Sequence, residues 1–203
     1  MDFGPVYIIF MEKFGFDMKI AVYLGSHRGN DPVYCETAYE LGLRLARKGI
    51  GVVYGGARVG TMGELARGVA DGGGECIGVY PKGFRGRPAV AREGLEVKQE
   101  GLTDFIEVDG FPQRKQMMED LSDCCVALPG SWGTMDELFA YTTSTQLEFN
   151  GGKRLFVLNI KGFYDDLKRQ ILKMNEEGFI DAGALGLITF CDSVDELLSK
   201  LGD

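Results

Sequence analysis

The chain has 203 residues, a formal net charge of −8, 45% hydrophobic and 26% charged residues. That balance suits one globular domain with a substantial core spanning 1–203. An acidic pI near 4.8 excludes a general nucleic-acid or membrane-surface binder, because phosphate backbones are held by excess Lys and Arg, yet leaves room for a single nucleotide in a local positive pocket.

In chain order, residues 1–17 read as an N-terminal extension. Their apolar run at 6–10 is short and followed by Glu12, unlike a secretory signal, and no run in the chain reaches transmembrane length. A buried-type strand at 19–24 ends in Gly25-Ser26. A helix at 32–48 turns Ala38, Leu41, Leu45 and Ala46 inward and stops at Gly49. The strand 50–54 runs into Gly55-Gly56 and a helix through Ala70, followed by a strand at 76–80. An irregular stretch at 81–94 carries Lys82, Arg85, Arg87 and Arg92 and reads equally as an exposed loop or a lid. A strand at 105–108 leads through Asp109-Gly110 to a helix with Pro112 in its first turn. The remainder alternates: strand 124–128, turn Pro129-Gly130-Ser131, helix 134–148, strand 155–158, helix 164–175, strand 187–190 and helix 194–201.

Strands and helices alternating at this spacing predict a doubly wound, mostly parallel α/β sheet flanked by helices on both faces, Rossmann-like. Gly25-Ser26, Gly55-Gly56, Asp109-Gly110 and Pro129-Gly130-Ser131 all follow strands, so they share the carboxyl edge where such sheets bind ligands.

Two segments nearly repeat: Gly60-Thr61-Met62-Gly63-Glu64-Leu65 and Gly133-Thr134-Met135-Asp136-Glu137-Leu138. Each reads as a glycine turn into a helix, with Thr as N-cap and Glu completing a capping box. Free N–H groups of a helix start, approached closely over glycine, form an anion site. Two on one sheet point to a small phosphorylated ligand. The preceding stretch Gly55-Gly56-Ala57-Arg58-Val59-Gly60 is not a P-loop, since no Gly-Lys-Ser/Thr follows, and it resembles a dinucleotide fingerprint only loosely. On residue physics alone Glu64 and Glu137 are equivalent caps. Arg114 opens a helix where the dipole favours anions, so it reads either as a grip on ligand hydroxyls or phosphate or as half of a solvated Arg114-Lys115 pair. Cys35, Cys76, Cys124, Cys125 and Cys191 are odd in number and lack C-x-x-C spacing, reading as reduced core thiols of a cytoplasmic protein. With His27 the only histidine, a His-based zinc site or Ser-His-Asp triad lacks parts. No metal or cofactor is expected.

Taken together, Arg114-Lys115-Gln116-Met117-Met118 and Pro129-Gly130-Ser131-Trp132-Gly133-Thr134-Met135-Asp136-Glu137 resemble the RKxxM and PGGxGTxxE motifs of the LOG (LONELY GUY) family, the cytokinin riboside 5'-monophosphate phosphoribohydrolases. The likeness runs over about 18–201. It implies hydrolysis of the N-glycosidic bond of an adenosine-type nucleoside 5'-monophosphate, cytokinin riboside monophosphate or AMP, to free base and ribose 5-phosphate. Carried over, Arg114 and Glu137 become the catalytic pair, and Gly130, Ser131, Gly133 and Thr134 the phosphate cradle. Lys115 and the turns Gly25-Ser26 and Gly55-Gly56 join the substrate-binding set. It also implies a homodimer or higher homo-oligomer. Members are often labelled lysine decarboxylases, a label no lysine here supports by a pyridoxal-phosphate context. The chain departs from the pattern at Ser131, where the family has Gly, at Thr61, where it has Leu, and at Phe111-Pro112-Gln113, where it has Met-His-Glu. A second reading, a non-catalytic carrier, follows from resemblance to the molybdenum-cofactor carriers of the same fold, which are less similar around Arg114-Lys115.

Overall fold

A computed structural model describes residues 18–95 and 101–202; the N-terminal extension lies outside them. Seven strands form one sheet: β1 (Met18–Tyr23), β2 (Ile50–Tyr54), β3 (Cys76–Pro81), β4 (Asp104–Val108), β5 (Cys124–Ala127), β6 (Arg154–Leu158) and β7 (Ile188–Cys191). Their order is β4-β3-β2-β1-β5-β6-β7, and every pairing is parallel. The chain winds outward from β1 to β4, then returns to β5 on the other side of β1. Strand order reverses between β1 and β5, whose register pairs Tyr23 with Ala127.

The strands read as near-continuous apolar runs because both faces are covered. Ile20, Val22, Val52, Tyr54, Val126 and Leu158 pack one face. Their neighbours Ala21, Tyr23, Val53, Val79, Ala127 and Val157 pack the other, as period-two alternation requires. Helices α1 (Val33–Arg47), α2 (Gly60–Asp71) and α7 (Val194–Leu201) cover the first face. Helices α4 (Phe111–Asp120), α5 (Trp132–Gln146) and α6 (Asp165–Glu176) cover the second. On α1 the inward set is Ala38, Leu41, Leu45 and Ala46.

Two expectations are corrected. The stretch at 81–94 is not irregular: a 3-10 turn at Lys82–Phe84 precedes the short helix α3 (Pro88–Arg92). Lys82 pairs with Asp109 at 3.0 Å, Arg85 with Glu107, and the Tyr80 hydroxyl donates to the Leu95 carbonyl at 2.9 Å. The capping boxes also do not form. Val59 and Ser131 are the N-caps of α2 and α5, and neither helix start has a side-chain cap. Both helices begin before the threonine, which places Thr61 and Thr134 inside the first turn with their hydroxyls free for other partners.

Candidate active site

The turns after β1, β2 and β5 converge. A Cβ on Gly25 would lie 3.5 Å from the Gly130 Cα, and one on Gly60 would lie 2.3 Å from the Ser26 carbonyl carbon. Thr61, buried, donates its hydroxyl to the Gly25 carbonyl at 3.0 Å and so ties α2 to the first turn. Glycine at 60, with φ +58°, is therefore required by close packing of one backbone turn on another. Below the third turn, the Tyr164 hydroxyl donates to the Leu128 carbonyl at 2.6 Å, which anchors the strand end from which Pro129 and Gly130 depart.

Arg114 lies in the first turn of α4, its N–H bonded to the Gly110 carbonyl at 3.0 Å. Its Nε donates to the Val79 carbonyl at 3.1 Å, which fixes the guanidinium plane against the end of β3. Nη1 stands 2.8 Å from Glu137 Oε1, with the side chains only 12% and 7% exposed. Gly55 makes this position possible, because a Cβ there would sit 2.2 Å from Nη2. Two residues 23 apart in sequence, on different helices, thus meet beside the turn after β2.

Glu137 is almost wholly buried. Burial pushes its carboxyl pKa up, and the Arg114 charge opposes that shift only in part. The close guanidinium satisfies charge more than direction: among the described residues Oε1 accepts no aligned hydrogen bond. Thr134 Oγ1 is a second buried oxygen without a hydrogen-bond partner among the described residues. It sits directly under the third turn, 2.1 Å from where a Gly130 Cβ would be. Each such oxygen costs about 1–3 kcal/mol of desolvation, a cost that a ligand hydroxyl or phosphate oxygen offsets.

Glu64, the apparent twin of Glu137, has a different environment. Arg28 contacts it at 2.8 Å and Arg67 at 2.5 Å. Partial burial pushes its carboxyl pKa up, but the hydrogen bonds and charges of Arg67 and Arg28 outweigh it, and the net shift is downward. Glu64 is an ordinary ionised partner in a surface cluster.

Among the other residues singled out, Gly55 is brought against Arg114, and Gly25, Gly130 and Thr134 against one another. Ser26 faces His27, Oγ to Nδ1 at 3.2 Å. Lys115 is directed to Asp136 at 2.9 Å. Gly56, with φ +75°, packs over Gly78 and Phe105 rather than toward the pair. Gly133 borders open space, so no crowding demands glycine there. The Val79 carbonyl and the room at Gly55 escaped the sequence reading; neither carries a residue-type signal. A cleft at the strand-order reversal is lined by His27, Arg28, Tyr34, Thr61, Ser131 and Phe163. His27 Nε2 reaches Glu93 at 3.5 Å, joining the first turn to the 81–95 segment. All five cysteines are buried free thiols, and burial raises Cys76 and Cys124 to about 12. The described residues contain no cluster of three or more potential metal ligands and no helix long and apolar enough to cross a membrane.

Fold and site together define a doubly wound α/β protein with a buried guanidinium–carboxylate pair beside the turns at the strand-order reversal. A family model described as "possible lysine decarboxylase" matches residues 62–201. The chain is 38% identical over 185 residues to the cytokinin riboside 5'-monophosphate phosphoribohydrolase LOG1 of Arabidopsis thaliana, covering 91% of this chain and 83% of that one. It is also 38% identical over 183 residues to LOG of Oryza sativa, covering 90% and 72%. The chain belongs to the LOG family. Among solved structures, a molybdenum cofactor binding protein from Rippkaea orientalis superposes with a TM-score of 0.66 at 21% identity over 91% of this chain and 95% of that one. The carrier protein MCP of Chlamydomonas reinhardtii gives 0.64 at 19%, covering 91% and 96%. These two show the fold.

Proposed function

We propose that this protein hydrolyses the N-glycosidic bond of an adenosine-type nucleoside 5'-monophosphate, a cytokinin riboside monophosphate or AMP, to give free base and ribose 5-phosphate. The observation that carries the reading is the 2.8 Å contact of Arg114 with buried Glu137 beside the converging turns. The phosphate lies on the Gly130 turn, where the first N–H groups of α5 and the Thr134 hydroxyl are its donors. Arg114, immobilised by Val79, holds sugar hydroxyls.

Cleavage passes through an oxocarbenium-like sugar. The Glu137 carboxylate stabilises that positive charge from within a low-dielectric wall, where its field is screened little. Water adds to the anomeric carbon as the carbon–nitrogen bond breaks. The bond's electron pair leaves with the base, the water proton passes to the carboxylate, and proton exchange with solvent then neutralises the departed base and restores the carboxylate. The relatives' phosphoribohydrolase names support this class of reaction.

The test is a base-release assay across adenosine-type nucleotides with wild-type protein and Glu137→Gln; undiminished turnover by the variant overturns the role of Glu137. We also place a second copy of the chain against α5 and its C-cap, where Trp132, Phe139 and Leu147 are 90%, 47% and 58% exposed. Light scattering should give at least twice the chain mass; a monomer at assay concentration contradicts that placement.

A further inference from the structure

Between β6 and α6 the chain makes a tight turn at 159–164 that grips two of the site's loops at once. In the sheet register Val157 lies beside Ala127, so the residues after β6 run past the end of β5, where the Gly130 turn begins. Asn159 shapes this connection. Its backbone N–H donates to the Cys191 carbonyl at 2.8 Å, its side-chain oxygen accepts from the Tyr164 N–H at 2.7 Å, and its amide nitrogen donates to Asp165 at 2.8 Å. Between these anchors Lys161 has φ +56° and ψ +29°, the left-handed region that a residue with a Cβ rarely adopts.

From that turn two side chains reach different loops. The hydroxyl of buried Tyr164 donates to the Leu128 carbonyl at 2.6 Å, one residue before Pro129. Lys161 Nζ meets Asp31 Oδ2 at 2.6 Å, in the loop after β1. The other oxygen of Asp31 accepts at 3.0 Å from the N–H of Val33, the first residue of α1. Phe163 stands edge to face on Tyr34 of α1, 6.1 Å between ring centres. It also lines the cleft of about 210 Å³ shared with Gly25, Gly130 and Ser131. An exposed ion pair adds little to stability, so the Lys161–Asp31 contact does not offset its strained backbone through folding. Strain kept at such a position points to a geometric role.

Resting on the proposed nucleotide hydrolysis, we propose that the 159–164 turn sets the spacing of the loops after β1 and β5, and that Lys161 and Tyr164 are positioning residues for the nucleotide phosphate. Both act through the backbone they hold. Tyr164 fixes the Leu128 carbonyl from which the Gly130 turn departs, and Lys161 holds the loop after β1 across the cleft from it. The phosphate donors lie on the Gly130 turn, whereas Arg114 is fixed separately by the Val79 carbonyl. Loosening the 159–164 turn therefore weakens the grip on phosphate and leaves the grip on the nucleoside.

Calorimetry with AMP and adenosine compares wild-type protein, Lys161→Gly, Lys161→Arg and Tyr164→Phe. Glycine accepts the left-handed backbone, so Lys161→Gly should hold Tm within about 3 °C of wild type. It should nevertheless bind AMP about fivefold more weakly and adenosine as wild type does. Tyr164→Phe keeps the buried ring and should show the same selective loss. Lys161→Arg retains a cation for Asp31 and should bind AMP within about twofold of wild type. Wild-type AMP affinity in Lys161→Gly, or equal weakening of AMP and adenosine, overturns the assignment. So does Lys161→Arg binding AMP as weakly as Lys161→Gly. A base-release assay on the same preparations keeps the two readings apart. Should wild-type protein release no base, the hydrolase reading fails, and the affinities still decide the role of the turn. Wild-type protein that binds AMP no more tightly than adenosine overturns that role.

Discussion

Gly55→Ala separates catalysis from stability most sharply. The added methyl carbon would lie 2.2 Å from Arg114 Nη2 and 3.2 Å from Met62 Sδ. Carbon–heavy-atom contacts settle near 3.5–4.0 Å, so the guanidinium must retreat by about 1 Å. Its Nε bond to Val79 and its approach to Glu137 cannot both survive that movement. A misplacement of this size costs about a hundredfold in rate. The folded protein suffers less, because the colliding atom is the tip of a flexible side chain. Replacing Gly with Ala also restricts the unfolded chain by about 0.4–1 kcal/mol, offsetting part of the weakened ion pair. With a net loss of about 1 kcal/mol, Tm falls by only about 2–4 °C for a chain of this length. Base release and thermal unfolding on the same preparation are the assays. Wild-type kcat/KM in a folded Gly55→Ala protein would refute the claim that Gly55 exists to seat Arg114.

Two further outcomes follow from the two glutamates. Glu64→Gln should leave turnover within about threefold of wild type, since it only weakens an arginine cluster; a loss matching that of Glu137→Gln contradicts the distinction drawn between them. For Glu137 the raised pKa fixes the sign of two pH effects. Catalysis needs the carboxylate, so kcat/KM should fall with acid through a pKa above the ordinary glutamate value of about 4.3. The same shift means that the folded state holds a proton the unfolded chain has released. Its contribution to stability is therefore full below about 4.3 and is lost as pH rises through the folded value. An acid limb at or below the ordinary value, or one that persists in Glu137→Gln, contradicts the assignment.

Much of the architecture was legible because each strand is an apolar run closed by small residues. The strand at 50–54 and the helix at 194–201 appear with the boundaries read from sequence. The repeated Gly-Thr-Met segments misled in one respect. Thr-x-x-Glu spacing is also compatible with a helix that starts earlier, and the backbone chose Val59 and Ser131 as caps. Part of what separates Glu137 from Glu64 is local, since Arg67 lies three residues beyond Glu64 on the same helix, but the rest is not: Arg114 comes from α4, whereas Arg28 comes from the loop after β1. No periodicity encodes either meeting. The LOG-type motifs named Arg114 and Glu137 together, but the carbonyl of Val79 and the space at Gly55 belong to the backbone and become visible only in three dimensions. The basic stretch at 81–94 hid a helix because five residues are too few to establish a period.

The most direct test of the hydrolase account is simultaneous quantification of free base and ribose 5-phosphate from cytokinin riboside 5'-monophosphate and AMP, by wild-type protein and a folded Glu137→Gln variant. The account requires equimolar products from wild-type protein and a loss of at least about a hundredfold in the variant. Equal product from both proteins, or none from the wild type on either nucleotide, contradicts it.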